Sequence, residues 1–124
     1  MSKKIIIAED SSVIQNIIKK ILAQLKFEIK TVKNGKQVLA LLEKDTYDLI
    51  LMDIFMPVMD GMACSKAIRD LDGDNKDVPI LAITGNANNY SEEEFKQAGI
   101  NEFIPKPINY DGLVEMVKKY TNGD

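Results

Sequence analysis

The sequence predicts an α/β domain in which helices cover both faces of a parallel sheet. Strand-like and helix-like segments alternate along the 124 residues, as they do in repeated β-α units. Three of the five strand-like runs are continuously apolar, which is typical of parallel strands buried on both faces. A hydrophobic content of 45% is enough for a substantial core. We therefore expect a single domain over residues 1–124.

The first half of the chain predicts three strands and two helices. Charged residues alternate with Ile29 and Val32, so the second strand suits the edge of a sheet. Asn34 precedes the second helix and is suited to cap it. The predicted strands are Lys3–Ala8, Glu28–Val32 and Asp48–Asp53, and the predicted helices are Ser12–Lys26 and Lys36–Lys44.

Apolar residues at helical spacing support both of these helices. The first helix has one long apolar stripe, and the second turns a shorter apolar set inward. The stripe contains Val13, Ile14, Ile17, Ile18, Ile21, Leu22 and Leu25, and the inward set contains Val38, Leu39, Leu41 and Leu42.

The second half predicts two further strands and three helices. The fourth helix is the weakest, because only Tyr90, Phe95 and Ala98 give it apolar character, and Gly99 is suited to end it. Residues 121–124 are expected to fray. The predicted strands are Val78–Ile83 and Asn101–Ile104. The third predicted helix follows the loop 56–61 and ends near Leu71, and the fourth and fifth are Asn88–Ala98 and Asp111–Tyr120.

Composition excludes several classes of function. The net charge is −3 and Arg69 is the only arginine, which disfavours binding to nucleic acid. The chain has no histidine, which excludes zinc sites and catalytic dyads that depend on that residue. Cys64 is the only cysteine and is expected to be a packing residue. No apolar stretch is long enough for a bilayer, so we expect no membrane attachment and a cytoplasmic location.

Reactive side chains follow the strand-like runs. Glu9 and Asp10 follow the first run, Asp53 ends the third, Thr84 follows the fourth, and Lys106 comes soon after the fifth. The carboxyl ends of parallel strands meet at one edge of a sheet, where open α/β sheets bind ligands. The sequence therefore predicts one site that contains three carboxylates, a hydroxyl and an ammonium group.

The charges of this predicted site favour a divalent cation. If all four ionisable groups are charged, they sum to about −2, which a divalent cation neutralises. Hard oxygen ligands favour Mg²⁺, which also accepts phosphoryl oxygens as ligands. Asp53 can then act as a nucleophile towards phosphorus, while Lys106 and Thr84 contact the phosphoryl oxygens.

The ordered set of motifs resembles the receiver domain of two-component response regulators over nearly the whole chain. The motifs are Glu9-Asp10, Asp53-Ile54-Phe55-Met56-Pro57 with Asp60-Gly61, Thr84-Gly85, and Lys106-Pro107. The resemblance implies a flavodoxin-like, doubly wound fold of five parallel strands in the order 2-1-3-4-5, with five helices.

The resemblance also implies roles for individual residues. Asp53 would be the phosphoacceptor, and Mg²⁺ would be held by Asp10, Asp53 and the backbone carbonyl of Phe55, with Glu9 acting mainly through bridging water. Thr84 and Phe103 match the pair of switch residues of the family. For Phe103 alone, core packing is an equally good interpretation.

Three residues depart from the pattern that is common in the family. Glu9 stands where aspartate is also frequent, and Gly85 stands where alanine is common. Phe55 is bulky and apolar where polar residues are often found. We hypothesise that Phe55 restricts the water that hydrolyses the acyl phosphate, which would give a long-lived signal.

A chain without histidine must take its phosphoryl group from elsewhere. The resemblance implies that the donor is a phosphohistidine on a sensor histidine kinase or a histidine phosphotransfer protein. No output domain is expected after the last helix. Output is therefore expected through a protein contact at the face formed by the fourth helix, fifth strand and fifth helix, or through relay of the phosphoryl group. The chain is not expected to act as an enzyme on external substrates.

Two other functions remain open from the residues. A flavodoxin-type electron carrier would share the fold, but Glu9 and Asp10 would repel the FMN phosphate. A Mg²⁺-dependent aspartyl phosphatase would share the nucleophile, but it usually has a second acid at the position of Phe55. A P-loop nucleotide hydrolase is excluded because its glycine-rich lysine loop is missing.

Overall fold

The computed structural model describes residues 3–85 and 90–121. Its core is a sheet of five parallel strands in the order β2-β1-β3-β4-β5, which confirms the predicted topology. The strands are β1 (Lys4–Ala8), β2 (Glu28–Val32), β3 (Leu49–Asp53), β4 (Ile80–Thr84) and β5 (Glu102–Pro105).

Within the described residues, five α-helices and two short 3-10 turns accompany these strands, and the last helix follows β5. The helices are α1 (Ser12–Leu22), α2 (Gly35–Lys44), α3 (Gly61–Arg69), α4 (Glu92–Gln97) and α5 (Tyr110–Thr121). The 3-10 turns are Ala23–Leu25 and Asp74–Asp77. No helix in the described ranges has the length and apolar character needed to cross a bilayer.

The apolar runs occupy the positions predicted for them. All residues of β3 and β4 are buried, and β1 is buried from Ile5 onward, because these three strands are central and covered on both faces. The more polar β2 lies at an edge, as expected. One core packs against α1 and α5, and the other packs against α2, α3 and α4.

The first helix differs from its prediction in length and in its buried face. It ends at Leu22, and a 3-10 turn then leads to Lys26, whose φ of 59° closes the helical segment. Ile18 and Leu22 are fully buried, but Val13 and Ile17 are 68% and 46% exposed. The predicted stripe was too wide because only one side of this helix can contact the sheet.

Boundaries around α3 and β4 also differ from the predictions. The helix ends at Arg69 rather than near Leu71, and β4 begins at Ile80 rather than Val78. The helix closes with 3-10-type bonds, in which the N–H groups of Asp70 and Leu71 donate to the carbonyls of Ala67 and Ile68 at 3.2 and 3.1 Å. The Arg69 guanidinium donates to the carbonyls of Lys76 and Val78 at 2.7 Å each, so the Val78 carbonyl is bonded to a side chain just before β4 begins. The guanidinium also donates to the Gly99 carbonyl at 2.6 Å and thus joins the connection before β4 to the connection before β5.

Local capping stabilises the short helix α4. It begins at Glu92 and not at the predicted Asn88, which lies outside the described residues. Ser91 and Glu94 form a reciprocal capping box. At the other end, Gly99 has a φ of 86°, and its N–H and that of Ile100 bond back to the helix in a Schellman pattern, which confirms Gly99 as the stop.

The last helix extends further than predicted. Thr121, which we expected to begin a frayed tail, is 3% exposed and donates its hydroxyl to the Val117 carbonyl at 2.8 Å. Residues 122–124 of that expected tail lie outside the described part of the chain.

Candidate functional site

The strand register brings the predicted site residues to one edge of the sheet. Ala8 in β1 is paired with Met52 in β3, so Glu9 and Asp53 occupy equivalent positions one residue further on. Thr84 at the end of β4 is paired with Pro105, and its carbonyl accepts from the Lys106 N–H at 2.9 Å. The topology therefore places the predicted groups side by side.

The three acids form one cluster. Glu9, Asp10 and Asp53 each offer a carboxylate oxygen, and the three oxygens lie within 4.8 Å of one another. Asp10 is exposed, whereas Glu9 and Asp53 are only 1% and 4% exposed. Two buried carboxylates in one cluster need compensating partners, because burial penalises the charged form.

Lys106 supplies part of this compensation. Its Nζ lies 3.1 Å from Oε1 of Glu9 and 3.7 Å from Oδ1 of Asp53. The N–H of Ser11 donates to the other oxygen of Glu9 at 3.0 Å. The pKa of Glu9 is nevertheless raised, chiefly by burial, and the negative charge of Asp53 adds to the effect. One ammonium group thus leaves an excess of negative charge in the cluster.

Gln15 supports this cluster and was not identified from the sequence. Its buried side-chain amide donates to the carbonyls of Glu9 at 2.6 Å and Val32 at 3.0 Å. These contacts join α1 to the ends of β1 and β2 and fix the backbone that carries two of the acids. The only sequence signal is a polar residue between Ile14 and Ile18 on the inward side of the helix.

The loop after β3 holds Asp53 from the other side. The N–H of Phe55 donates to Oδ1 of Asp53 at 3.3 Å, and the Phe55 side chain is 45% exposed. A Cβ atom on Gly61 would lie 2.5 Å from the carbonyl oxygen of Asp53, so only glycine permits this approach. Val58 has a φ of 68°, and Met59 N–H donates to the Pro57 carbonyl at 2.7 Å, which closes a tight turn.

The two predicted switch residues lie on adjacent strands. Thr84 is 2% exposed at the end of β4, whereas Phe103 is paired with Ala82 and is half-buried. The Phe103 ring stacks on Phe95 of α4 with 5.5 Å between centroids. The ring therefore lies at the contact between β5 and α4.

The donor set of the cluster fits Mg²⁺. All the side-chain donors are carboxylate oxygens, which hard divalent cations prefer. Three carboxylates face one ammonium group in this cluster, so a cation would also balance its charge. The residues at this edge therefore suit a magnesium site.

Two curated proteins illustrate the similarity of this chain to known sequences. It is 31% identical over 120 residues to the polar-differentiation response regulator DivK of Brucella anthropi, covering 97% of both chains. It is 35% identical over 121 residues to hybrid signal transduction histidine kinase I of Dictyostelium discoideum, covering 93% of this chain. Our chain spans only 7% of the length of that kinase.

A solved structure shows the same fold and a related site. The receiver domain of a sensor histidine kinase from Pseudomonas aeruginosa superposes with a TM-score of 0.88 at 32% identity, covering 98% of this chain and 99% of that one. That structure has a magnesium ion coordinated in its active-site cleft. Residues 5–118 of our chain match the family model of the response regulator receiver domain. The chain therefore belongs to the response regulator receiver domain family.

Proposed function

We propose that this chain is a phosphoacceptor signalling domain and that Asp53 accepts the phosphoryl group. The observation that supports this most directly is the position of the Asp53 carboxylate. It is buried at the end of β3, 3.7 Å from the Lys106 ammonium and in one cluster with two further acids. A nucleophilic carboxylate beside a fixed cation suits phosphoryl transfer.

The transfer reaction we propose forms one bond and breaks one bond. A carboxylate oxygen of Asp53 attacks the phosphorus of a phosphohistidine, and the P–N bond breaks as the acyl phosphate forms. The electron pair of the P–N bond stays on the imidazole, which leaves as a neutral ring after taking up any proton it needs from solvent. Lys106 stabilises the charge on the phosphoryl oxygens, and the Thr84 hydroxyl donates to one of them.

The metal ligands in this proposal are Glu9, Asp10, Asp53 and the backbone carbonyl of Phe55, with Glu9 acting mainly through water. When bound, Mg²⁺ supplies positive charge for the phosphoryl oxygens during transfer. Glu9 also holds the Lys106 ammonium at 3.1 Å, so the same carboxylate positions the lysine beside Asp53.

The phosphoryl donor we propose is a phosphohistidine on a sensor histidine kinase or a histidine phosphotransfer protein. The chain itself has no histidine, so a phosphohistidine donor would lie on another protein or on another part of a longer one. Similarity to a hybrid histidine kinase and to the receiver domain of a sensor kinase supports this donor class. Reaction with a kinase of this class would place the domain in the cytoplasm.

We further propose that phosphorylation changes the face formed by α4, β5 and α5, or that the phosphoryl group is relayed onward. Thr84 would move towards the phosphoryl group, and the Phe103 ring would turn inward. Residues 1–124 would work as one domain that catalyses only its own phosphorylation and slow dephosphorylation. The half-buried position of Phe103 at the contact between β5 and α4 supports such a switch.

Phosphorylation with a small-molecule donor tests the proposal. The chain is incubated with acetyl phosphate and Mg²⁺, and the modified residue is identified by mass spectrometry. We expect one phosphoryl group on the wild-type chain and none on Asp53→Asn. The matched control is Asp60→Asn, because Asp60 is an exposed acid outside the cluster and asparagine preserves its cap on α3.

Two outcomes would contradict the proposal. Modification that persists in Asp53→Asn would assign the acceptor to another residue. Sustained turnover of an external phosphoester would instead indicate an aspartyl phosphatase.

A further inference from the structure

Four aromatic rings form a continuous row from the loop beside Asp53 to the face formed by α4 and β5. The Phe55 and Tyr90 ring centroids are 6.5 Å apart, those of Tyr90 and Phe95 are 5.8 Å apart, and those of Phe95 and Phe103 are 5.5 Å apart. All three separations are within the range of aromatic contacts. We call Phe55, Tyr90, Phe95 and Phe103 the aromatic row.

The row connects three parts of the fold that are far apart in sequence. Phe55 belongs to the loop after β3, and Phe103 belongs to β5. Tyr90 and Phe95 lie on either side of the capping box of α4, at the N′ and N4 positions of a hydrophobic staple. The Tyr90 ring therefore moves with the start of α4, and the whole helix is only six residues long.

Both ends of the row are linked to the same oxygen of Asp53. At one end, the N–H of Phe55 donates to Oδ1 of Asp53 at 3.3 Å. At the other end, β5 leads from Phe103 to Lys106 within three residues, and the Lys106 ammonium lies 3.7 Å from that oxygen. A change of charge at this carboxylate therefore acts on both ends of the row.

The far end of the row borders a groove on the surface. The groove has a volume of about 240 Å³ and lies between α4 and β5. Phe95, Ile100 and Phe103 form its apolar floor, and Glu92, Lys96 and Glu102 contribute charged groups. A shift of the stacked pair Phe95 and Phe103 would change the shape of this groove.

We propose that Tyr90 is a positioning residue that couples the chemical state of Asp53 to the Phe103 ring and to this groove. The inference rests on the proposed function of Asp53 as phosphoacceptor. An acyl phosphate removes the negative charge from the oxygen that accepts the Phe55 N–H, so the hydrogen bond weakens and Phe55 shifts. Tyr90 transmits this shift, because its ring contacts Phe55 on one side and Phe95 on the other.

Fluorine NMR on fluorophenylalanine-labelled protein tests the coupling directly. The chain has four phenylalanines, of which three belong to the aromatic row. The fourth, Phe27, packs in the opposite core and serves as an internal reference. Addition of Mg²⁺ and beryllofluoride is expected to shift the Phe55, Phe95 and Phe103 resonances and to leave Phe27 nearly unchanged.

Substitution of Tyr90 distinguishes transmission along the aromatic row from binding of beryllofluoride at Asp53. In Tyr90→Leu we expect Phe55 to respond as before, while the Phe103 response decreases to the part that reaches it through Lys106 and β5. Tyr90→Phe keeps the ring and should restore the Phe103 response. Tyr110→Leu removes an exposed tyrosine outside the row and should leave all responses intact. Phe55→Leu breaks the row without touching the cap of α4 and should reduce the Phe103 response to the same extent as Tyr90→Leu.

The outcomes distinguish this inference from the proposed function. A full Phe103 response in both Tyr90→Leu and Phe55→Leu would overturn the coupling while leaving Asp53 as the acceptor. Failure of acetyl phosphate to modify Asp53 in the wild type would overturn the proposed function and the inference together.

Discussion

Phe55 brings an apolar ring to a site that otherwise consists of charged and polar groups. It lies two residues after Asp53, and its backbone N–H contacts that carboxylate directly. A phenyl ring offers no hydrogen bond to an attacking water, whereas an amide side chain would hold one in place. The hypothesis of a long-lived acyl phosphate therefore depends on whether the side chain at position 55 can hold a water molecule near the phosphorus.

We predict that Phe55→Asn shortens the lifetime of the acyl phosphate by about tenfold, equivalent to about 1.4 kcal/mol in the barrier to hydrolysis. The asparagine amide would orient water towards the phosphorus. The lifetime is measured by the loss of the phosphoryl group after the donor is removed. Phe55→Leu is the matched control and should keep the wild-type lifetime. Equal lifetimes for the asparagine variant and the wild type would rule out this role.

We predict that the Cys64 thiol is unreactive in the folded protein. It is fully buried, its Sγ donates to the Gly35 carbonyl at 3.4 Å, and burial raises its pKa to about 12. The reactive thiolate is therefore almost absent at neutral pH. Iodoacetamide should label it only after unfolding in urea. Rapid labelling under native conditions would show that α2 and α3 separate readily.

At the scale of secondary structure, β5 and α5 are joined by one carboxylate. Glu102 accepts from the Tyr120 hydroxyl and from the Lys119 ammonium, the latter at 2.9 Å. Its pKa is lowered below the ordinary value of 4.5, chiefly by the hydrogen bond from Tyr120. The ionised form of Glu102 thus stabilises the fold, and this stabilisation is lost as the pH falls through the lowered pKa.

We predict that Glu102→Gln lowers the free energy of unfolding at neutral pH and that its difference from the wild type shrinks in acid. Above pH 4.5 the wild-type carboxylate is charged in both the folded and the unfolded states, so its full stabilisation is present. Urea unfolding at a series of pH values measures the difference. A difference that is independent of pH would show that the charge of Glu102 contributes nothing to this contact.

At the scale of the whole molecule, the acid cluster should make stability depend on Mg²⁺. A cation that binds only the folded state at ten times its dissociation constant adds about 1.4 kcal/mol. For a domain of this size that is about 5 °C in the melting temperature. Asp10→Asn should lose most of this increase, and Asp60→Asn should keep it. The same response in Asp10→Asn and in the wild type would contradict the assignment of the cluster as the metal site.

Much of the fold and of the candidate site followed from the sequence because both depend on local patterns. Continuous apolar runs identified the central strands β1, β3 and β4, and the residues at their ends led to Glu9, Asp10 and Asp53. Such patterns do not report tertiary contacts. The exposed side of α1 was therefore missed. Val13 and Ile17 are as apolar as the buried residues of this helix, so the sequence does not show that they lie away from the sheet.

Residues that act through contacts distant in sequence were also missed. Gln15 joins two strand ends, and Asn75 donates to the carbonyls of Leu42 and Asp45, which lie more than 25 positions earlier. The Ser91–Glu94 capping box was visible as a spacing and would have placed the start of α4 correctly.

The internal contacts of Arg69 also determine what the surface of this protein can recognise. Its guanidinium is the only one in the chain, and it is engaged with the carbonyls of Lys76, Val78 and Gly99. Of the two kinds of cationic side chain in this chain, only arginine has the planar fork of donors that recognises a phosphate or carboxylate through two parallel hydrogen bonds. The cationic side chains that remain for anionic partners of this chain are therefore lysines, which act as point charges and impose less orientation on a bound anion.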